Sequence, residues 1–367
     1  MSKTIKGKAA IIATGSVKPE RKMPGRSGLG VAAEAAINAM QDAAMTQADI
    51  DGLITQVTGE TPTAMAEYLG LRPTWSSGVH MEGASGAASV TMAAMAINAG
   101  LATNVLCVIG GLAPGGDMAA DAAPLHRPQF DAPFGPASGA TGYYALIANR
   151  YKKEYGVTDE QRAQVAAQQR FNAQANPDAI FYGSSISVDD VVNSRMISDP
   201  LRLLECVMPT GGAEAVIVTA ADRAKDAKNK PVYLLGAGMA VDRSTLPNAT
   251  SLTTSPVAIS AKKAFEMAGL APKDINMVSL YDCYTITVLI SLEDAGFVGK
   301  GEAGAFVEST DITYKGSLPI NTHGGQLSYG QPQVGGGMSH VTESVRQMQG
   351  LAGDRQVKNL DYCFVNG

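Results

Sequence analysis

At 367 residues the chain is long enough for two or more domain-sized units around a substantial core. Hydrophobic residues make up 45%, charged residues 17% and aromatics 6%, a balance that excludes a disordered or fibrous chain and suits a tightly packed α/β enzyme core. A formal net charge of −5 without a basic run excludes tracking of nucleic-acid phosphates, and four cysteines without a CxxC pair indicate neither a zinc site nor a disulfide framework.

The first fifteen residues lack the apolar core and cleavage site of a signal peptide, so a cytoplasmic protein is expected. Residues 8–14 form a short apolar run ending at Gly15, the size of a buried strand. Residues 28–45 repeat Ala and Val at helical spacing and read as a crossover helix. A second strand is expected over 51–57 and a short helix over 64–69. Residues 79–100 carry almost only small residues at first and no polar face at helical spacing, so they read as a buried central helix. Its length would also suit a membrane span, but its Ser and Asn content argues against one, and no membrane association is expected. Residues 104–110 are a fully apolar strand. Strands alternating with helices predict a mostly parallel, doubly wound sheet.

Residues 112–200 break this rhythm with many Pro and Gly residues and two polar helices, over 141–155 and 158–176. They read as a loop-domain insertion laid over the first sheet. The core resumes near 201 with a strand at 213–220, so residues 1–111 and 201–228 make the first half. The second half, 229–367, reads as strand 231–240, helix 255–268, strand 277–280, helix 285–295, helix 341–350 and a strand-like 361–367. Both halves share a β-α-β order, which fits a duplicated fold.

Three constellations carry chemistry. The first is the Gly-rich entry to the central helix, Glu82-Gly83-Ala84-Ser85-Gly86, whose amides suit a thioester oxygen or an oxyanion. His80 and Glu82 flank Gly83 and form either an acid/base pair or a turn-stabilising contact. The second is Tyr281-Asp282-Cys283-Tyr284-Thr285, between an apolar strand and a helix, where α/β ligand sites gather. A Tyr281 phenol with a lowered pKa would accept a proton from a hydroxyl; packing alone would leave the same sequence. Cys283 is either a site thiol or a small buried packing residue. The third is the loop from Asn321 through Pro332, in which Asn321, Gly324 and Gly325 let backbone amides approach a ligand closely. In the same loop His323 is either a site imidazole or a structural histidine, Tyr329 a second phenol, and Gln331 an amide that can donate to an oxyanion but cannot take a proton. His126 and His340 have no motif context and receive no role.

In the same order along the chain, Ala84-Ser85-Gly86, Asn176-Pro177-Asp178-Ala179, Asp199-Pro200-Leu201, Gly212-Ala213-Glu214-Ala215-Val216, the Tyr281 motif and the Asn321 loop resemble the thiolase superfamily. The match is to the branch of sterol-carrier-protein-type thiolases and thiolase-like lipid-transfer proteins, which includes steroid side-chain aldolases. The resemblance implies a duplicated βαβαβαββ fold in five α-β-α-β-α layers with a loop-domain insertion, its last strand missing after Gly367. The family's nucleophilic Cys falls at Gly83, its substrate-supporting His at Tyr281, its catalytic His at Gln331, and its second Cys near Gly367. Without those thiols a covalent acyl-enzyme is excluded. What the resemblance then implies is retro-aldol cleavage of a 3-hydroxyacyl-CoA, with Tyr281 as base and Asp282 beside it. Two alternatives stand: CoA-dependent acyl transfer or thiolysis without a covalent intermediate, and a non-catalytic acyl-CoA-binding or scaffolding subunit. It further implies no bound cofactor or metal, coenzyme A only as part of the substrate, a homodimer, and a small OB-fold and zinc-ribbon partner giving a heterotetramer.

Overall fold

The computed structural model describes residues 4–113, 139–242 and 246–367. His126 and the Pro- and Gly-rich start of the insertion lie outside the described residues. Strand β1 (Ala9–Glu20) is longer than its apolar run suggests, because it continues as an alternating strand after the first seven fully buried residues. Helix α1 (Gly28–Ala43) starts where Ser27 accepts a hydrogen bond from the Gly30 amide, a cap worth about 1 kcal/mol. Its face of Ala32, Ala35, Ala36 and Ala39 is wholly buried. Gly15 of β1 leaves no room for a side chain against the α1 backbone at Ala35 and Ala39, so small residues on both elements set this close approach.

Strands β2 (Gly52–Val57), β3 (Trp75–Gly78) and β4 (Asn104–Gly111) follow, with α2 (Pro62–Leu69) and the central α3 (Ser85–Asn98) between them. After the insertion, β7 (Pro209–Ala220) returns to the same sheet, whose order is β3-β2-β4-β7-β1-β8, with β8 being Val232–Tyr233. The expectation of a mostly parallel sheet is corrected here. Among the described residues the ladders of β2 with β3, β2 with β4 and Gln331–Pro332 with β7 are parallel, whereas β7 is antiparallel to both β4 and β1 and β8 is antiparallel to β1. Fully buried strands are apolar in either direction, so composition does not carry their sense.

Within the insertion lie α4 (Gly139–Tyr155), α5 (Asp159–Ala173), α6 (Val188–Val192) and the small ladder β5 (Met196–Ser198) with β6 (Leu201–Arg202). Fully buried Arg162 of α5 pairs with Glu205 at 2.9 Å, and Glu205 also accepts from Thr285 in the second half. The insertion is thereby bonded to the second half.

The second half contains α7 (Val257–Ala268), β9 (Met277–Ser279), α8 (Thr285–Asp294), α9 (Ala303–Ser309), α10 (Gly325–Tyr329), β10 (Gln331–Pro332), α11 (Gly336–Gln349) and β11 (Cys363–Val365). β9 and β11 pair in parallel, and Ile320 bridges to Val278. The expected strand 231–240 is a second correction: only Val232 and Tyr233 are laddered, against β1. Its following residues instead press Gly236 and Gly238 onto the α7 backbone at Ala264 and Ser260. Helices α3 and α11 lie between the two sheets, α1 and α2 cover the outer face of the first, and α7 and α8 that of the second. Gly86 of α3 has no room for a side chain, which would come within 2.6 Å of the Met338 amide in α11. The central helices therefore touch backbone to backbone, bringing the N-termini of both beside the loop after β9. Among the described residues no helix is long and apolar enough to cross a membrane.

Candidate active site

The loop that follows β9 is clamped on both sides before any functional side chain projects from it. Asn321 accepts from the Leu280 amide at 2.7 Å and donates to the Leu280 carbonyl at 2.9 Å, while Asn366 accepts from the Tyr281 amide at 2.9 Å. Asn321 adopts a left-handed φ of 52°, a conformation that Asn tolerates better than most residues. It is wholly buried and holds the loop through these bonds. Gly324 abuts Ala173 of α5, and Gly325 leaves the space that the Asp282 carboxylate takes, so both glycines serve close packing as well.

Held this way, the Tyr281 ring lies directly in front of Gly83. A side chain on Gly83 would place its first carbon 2.6 Å from Tyr281 Oη. The phenol thus occupies the space where the family's nucleophile would stand. Gln331, at the start of β10, donates from Nε2 to Tyr281 Oη at 3.2 Å. Burial, reinforced by the neighbouring Cys283, pushes the phenol well above its ordinary range, with the Gln331 hydrogen bond pulling the other way. This corrects the expectation of a lowered phenol pKa: the resting group is a neutral phenol.

Asp282 sits behind the phenol, wholly buried. Its carboxylate accepts from the Gln326 amide at 2.8 Å and the Leu327 amide at 3.2 Å, and His340 Nε2 lies 3.1 Å away. His340 Nδ1 faces Ser279 Oγ at 3.2 Å. The sequence gives His340 no role, yet its ring stands beside the phenol ring, with centroids 6.4 Å apart. No linear motif links a residue of α11 to the loop after β9; only the packing of the two does. His323 points at Ser339 Oγ (3.3 Å) and at the His340 ring, and its Nδ1 has no hydrogen-bond partner among the described residues. Burial, together with His340, pushes His323 well below the usual imidazole range, so it is neutral at neutral pH.

Tyr329 turns away from Tyr281. Its hydroxyl donates to the buried Glu214 at 2.8 Å, which also accepts from Thr342 at 2.9 Å and from Ser16. Cys283 is buried among Ile286, Leu289 and Tyr284, and burial pushes its thiol up to about 12, so it holds no thiolate at neutral pH. At the helix entry, Ser85 Oγ accepts from the Met81 amide, while the Ala84 and Ser85 amides donate back to Met81 and Glu82 within the turn. His80 and Glu82 are exposed, with Nε2 and Oε1 3.7 Å apart.

A cavity of about 330 Å³ opens beside Tyr281, walled by Tyr143, Tyr144 and Ile147 of α4 and by Thr287, Ile290 and Ser291 of α8. It is largely apolar. Sequence reasoning missed Tyr144, a phenol on this wall whose ring packs tilted against Tyr284 with centroids 4.6 Å apart. Among the described residues no group of three His, Cys, Asp or Glu side chains is placed to hold a metal.

Five layers, two central helices meeting at their N-termini and a loop after the second-half strand define a thiolase-type scaffold. A family described as "Thiolase C-terminal domain-like" matches residues 238–367. The 17-hydroxy-3-oxo-4-pregnene-20-carboxyl-CoA lyase of Mycobacterium tuberculosis is 36% identical, over 95% of this chain and 93% of that protein. The steroid side-chain-cleaving aldolase of Thermomonospora curvata is 35% identical, over 94% and 91% respectively. A solved structure titled "Ltp2-ChsH2(DUF35) aldolase" superposes with a TM-score of 0.88 at 32% identity, covering 98% of this chain and 94% of that one. The chain belongs to the thiolase superfamily, in its sterol-carrier-protein-2-thiolase-like branch.

Proposed function

We propose that the protein cleaves a carbon–carbon bond of a 3-hydroxyacyl-CoA by a retro-aldol reaction, releasing an aldehyde or ketone and a shortened acyl-CoA. The observation that carries this reading is the Tyr281 phenol standing in the nucleophile's place before Gly83 with the Gln331 amide on its oxygen. Tyr281, in its minor phenoxide form, takes the proton of the substrate's 3-hydroxyl, that carbon becomes a carbonyl, and the electron pair of the breaking Cα–Cβ bond moves into the thioester as an enolate. Gln331 donates to the phenol oxygen and so stabilises the phenoxide that accepts this proton. No thiol is needed, which fits a glycine at position 83 and a Cys283 that stays protonated. The apolar cavity suits the carbonyl-bearing product half. The names of the relatives, a lyase acting on a carboxyl-CoA and a steroid side-chain aldolase, support the same chemistry.

The reading includes a cytoplasmic homodimer that joins a small OB-fold and zinc-ribbon subunit as a heterotetramer. The similar solved aldolase, whose title pairs it with a DUF35 component, supports the partner. The deciding experiment is product analysis with matched 3-hydroxyacyl-CoA and 3-ketoacyl-CoA, the latter with free CoA, for wild type and Tyr281→Phe. Carbonyl product plus shortened acyl-CoA, lost in Tyr281→Phe, is the expected result. CoA-dependent cleavage of the keto substrate, or binding without turnover of either, overturns it.

A further inference from the structure

Retro-aldol cleavage leaves an enolate whose Cα needs a proton, and most titratable groups near the phenol are sealed from water. Asp282 is wholly buried, engaged by two backbone amides and His340; Glu214 is held by Tyr329 and Thr342; His323 and His340 are themselves buried. Immediately before Gly83, by contrast, two titratable groups reach solvent. His80 and Glu82 have side chains 81% and 63% exposed, with His80 Nε2 3.7 Å from Glu82 Oε1. Gln56 Nε2 meets His80 Nδ1 at 3.0 Å, and an amide N–H can only donate, so Nδ1 keeps its lone pair and Nε2 carries its hydrogen toward Glu82. Glu82 also adopts a φ of 47°, a left-handed conformation that a side chain disfavours and that the surrounding turn must hold. Its charge is felt at the Tyr281 phenol.

We propose that the His80–Glu82 pair delivers the solvent proton that turns the enolate into the released acyl-CoA. This rests on the retro-aldol reading for the origin of the enolate. The enolate electron pair forms a new Cα–H bond with a proton from the pair, the thioester carbonyl re-forms, and the pair recovers its proton from water. Tyr281 meanwhile returns the hydroxyl proton to solvent, so one proton leaves oxygen and one arrives at carbon. Placing the pair on the solvent side of Gly83 and the phenol on the inner side separates the two transfers.

The reverse of this step is testable without cleavage: exchange of the α-hydrogens of propionyl-CoA in D2O, followed by proton NMR with the full chain. Wild type should exchange them, Tyr281→Phe should keep exchanging while losing cleavage, and Glu82→Gln and His80→Gln should each slow exchange at least tenfold with unfolding temperatures unchanged. Glu160→Gln, which alters an exposed carboxylate in the first turn of α5 away from the site, should exchange like wild type. Absent exchange in wild type, unchanged exchange in both pair variants, or an equal loss in Glu160→Gln overturns the proposal. Exchange that depends on the pair in a protein that cleaves no 3-hydroxyacyl-CoA would sink the retro-aldol reading and leave the proton-delivering pair standing.

Discussion

At the scale of single residues, the site turns on an exchange of partners between positions 83 and 281. A phenol fills the space in front of a glycine, so each residue type depends on the other. Gly83→Ala should overpack the contact and lower stability by about 1–3 kcal/mol. Adding Tyr281→Ala should recover part of that loss in a double-mutant cycle read by denaturant unfolding. Strictly additive effects would mean that the phenol does not fill that space. The raised phenol pKa sets a pH dependence as well. Only a small fraction is phenoxide at neutral pH, so turnover should climb with pH up to tenfold per unit from pH 7 upward. Tyr281→Phe should reduce kcat by roughly 10²–10⁴-fold and flatten that climb, which a pH–rate profile would show.

At the scale of elements, the site is rigid because buried charge ties its loops to helix α11. Burial alone would push Glu343 up, but the Arg355 guanidinium overrides it and holds the carboxyl at about 2. Thr322 in the Asn321 loop donates to the same carboxylate at 2.6 Å, and Arg355 reaches it at 2.8 Å. A carboxyl depressed in the folded state stabilises the protein above its unfolded value, and that stability is lost as pH falls from about 4.5 to about 2. The stabilisation involved is on the order of 3 kcal/mol, and Glu343→Gln should remove the corresponding acid limb of stability against pH. Asp282→Ala leaves two amides and His340 without their shared acceptor, and thermal unfolding should register a loss of about 3–5 kcal/mol.

At the scale of the whole molecule, the backbone-close contact of α3 and α11 joins the two sheets and aims both helix N-termini at one spot. Gly86 and Gly337 are the residues that permit it, since a side chain on Gly86 would strike α11 and one on Gly337 would strike the Gly83 carbonyl. The proposed homodimer belongs to this scale. Sedimentation at micromolar concentration should give twice the chain mass, and four chains' mass when the OB-fold partner is added. A monomer under both conditions would remove the assembly from the reading.

The sequence by itself determined the periodic elements and the chemistry that is absent. The small-residue run after Gly83 is a buried helix and the apolar run 104–110 a buried strand because each follows from residue types close together in the chain, whereas the reading of Gly83 as a nucleophile position without an acyl-enzyme is what the resemblance to thiolases implies. Tyr281 and Gln331 were legible as motif residues, but not that one donates to the other's oxygen. Only the tertiary structure decided the direction of β7, the pairing of Asp282 with His340, and the turning of Tyr329 away from Tyr281 toward Glu214. These contacts join residues from separate elements, and a local pattern records what a residue can bond to but not which distant group the packing brings within reach. The phenol's pKa was misjudged for the same reason: burial, the largest cause of its shift, is a property of the assembled layers rather than of the Tyr281 motif.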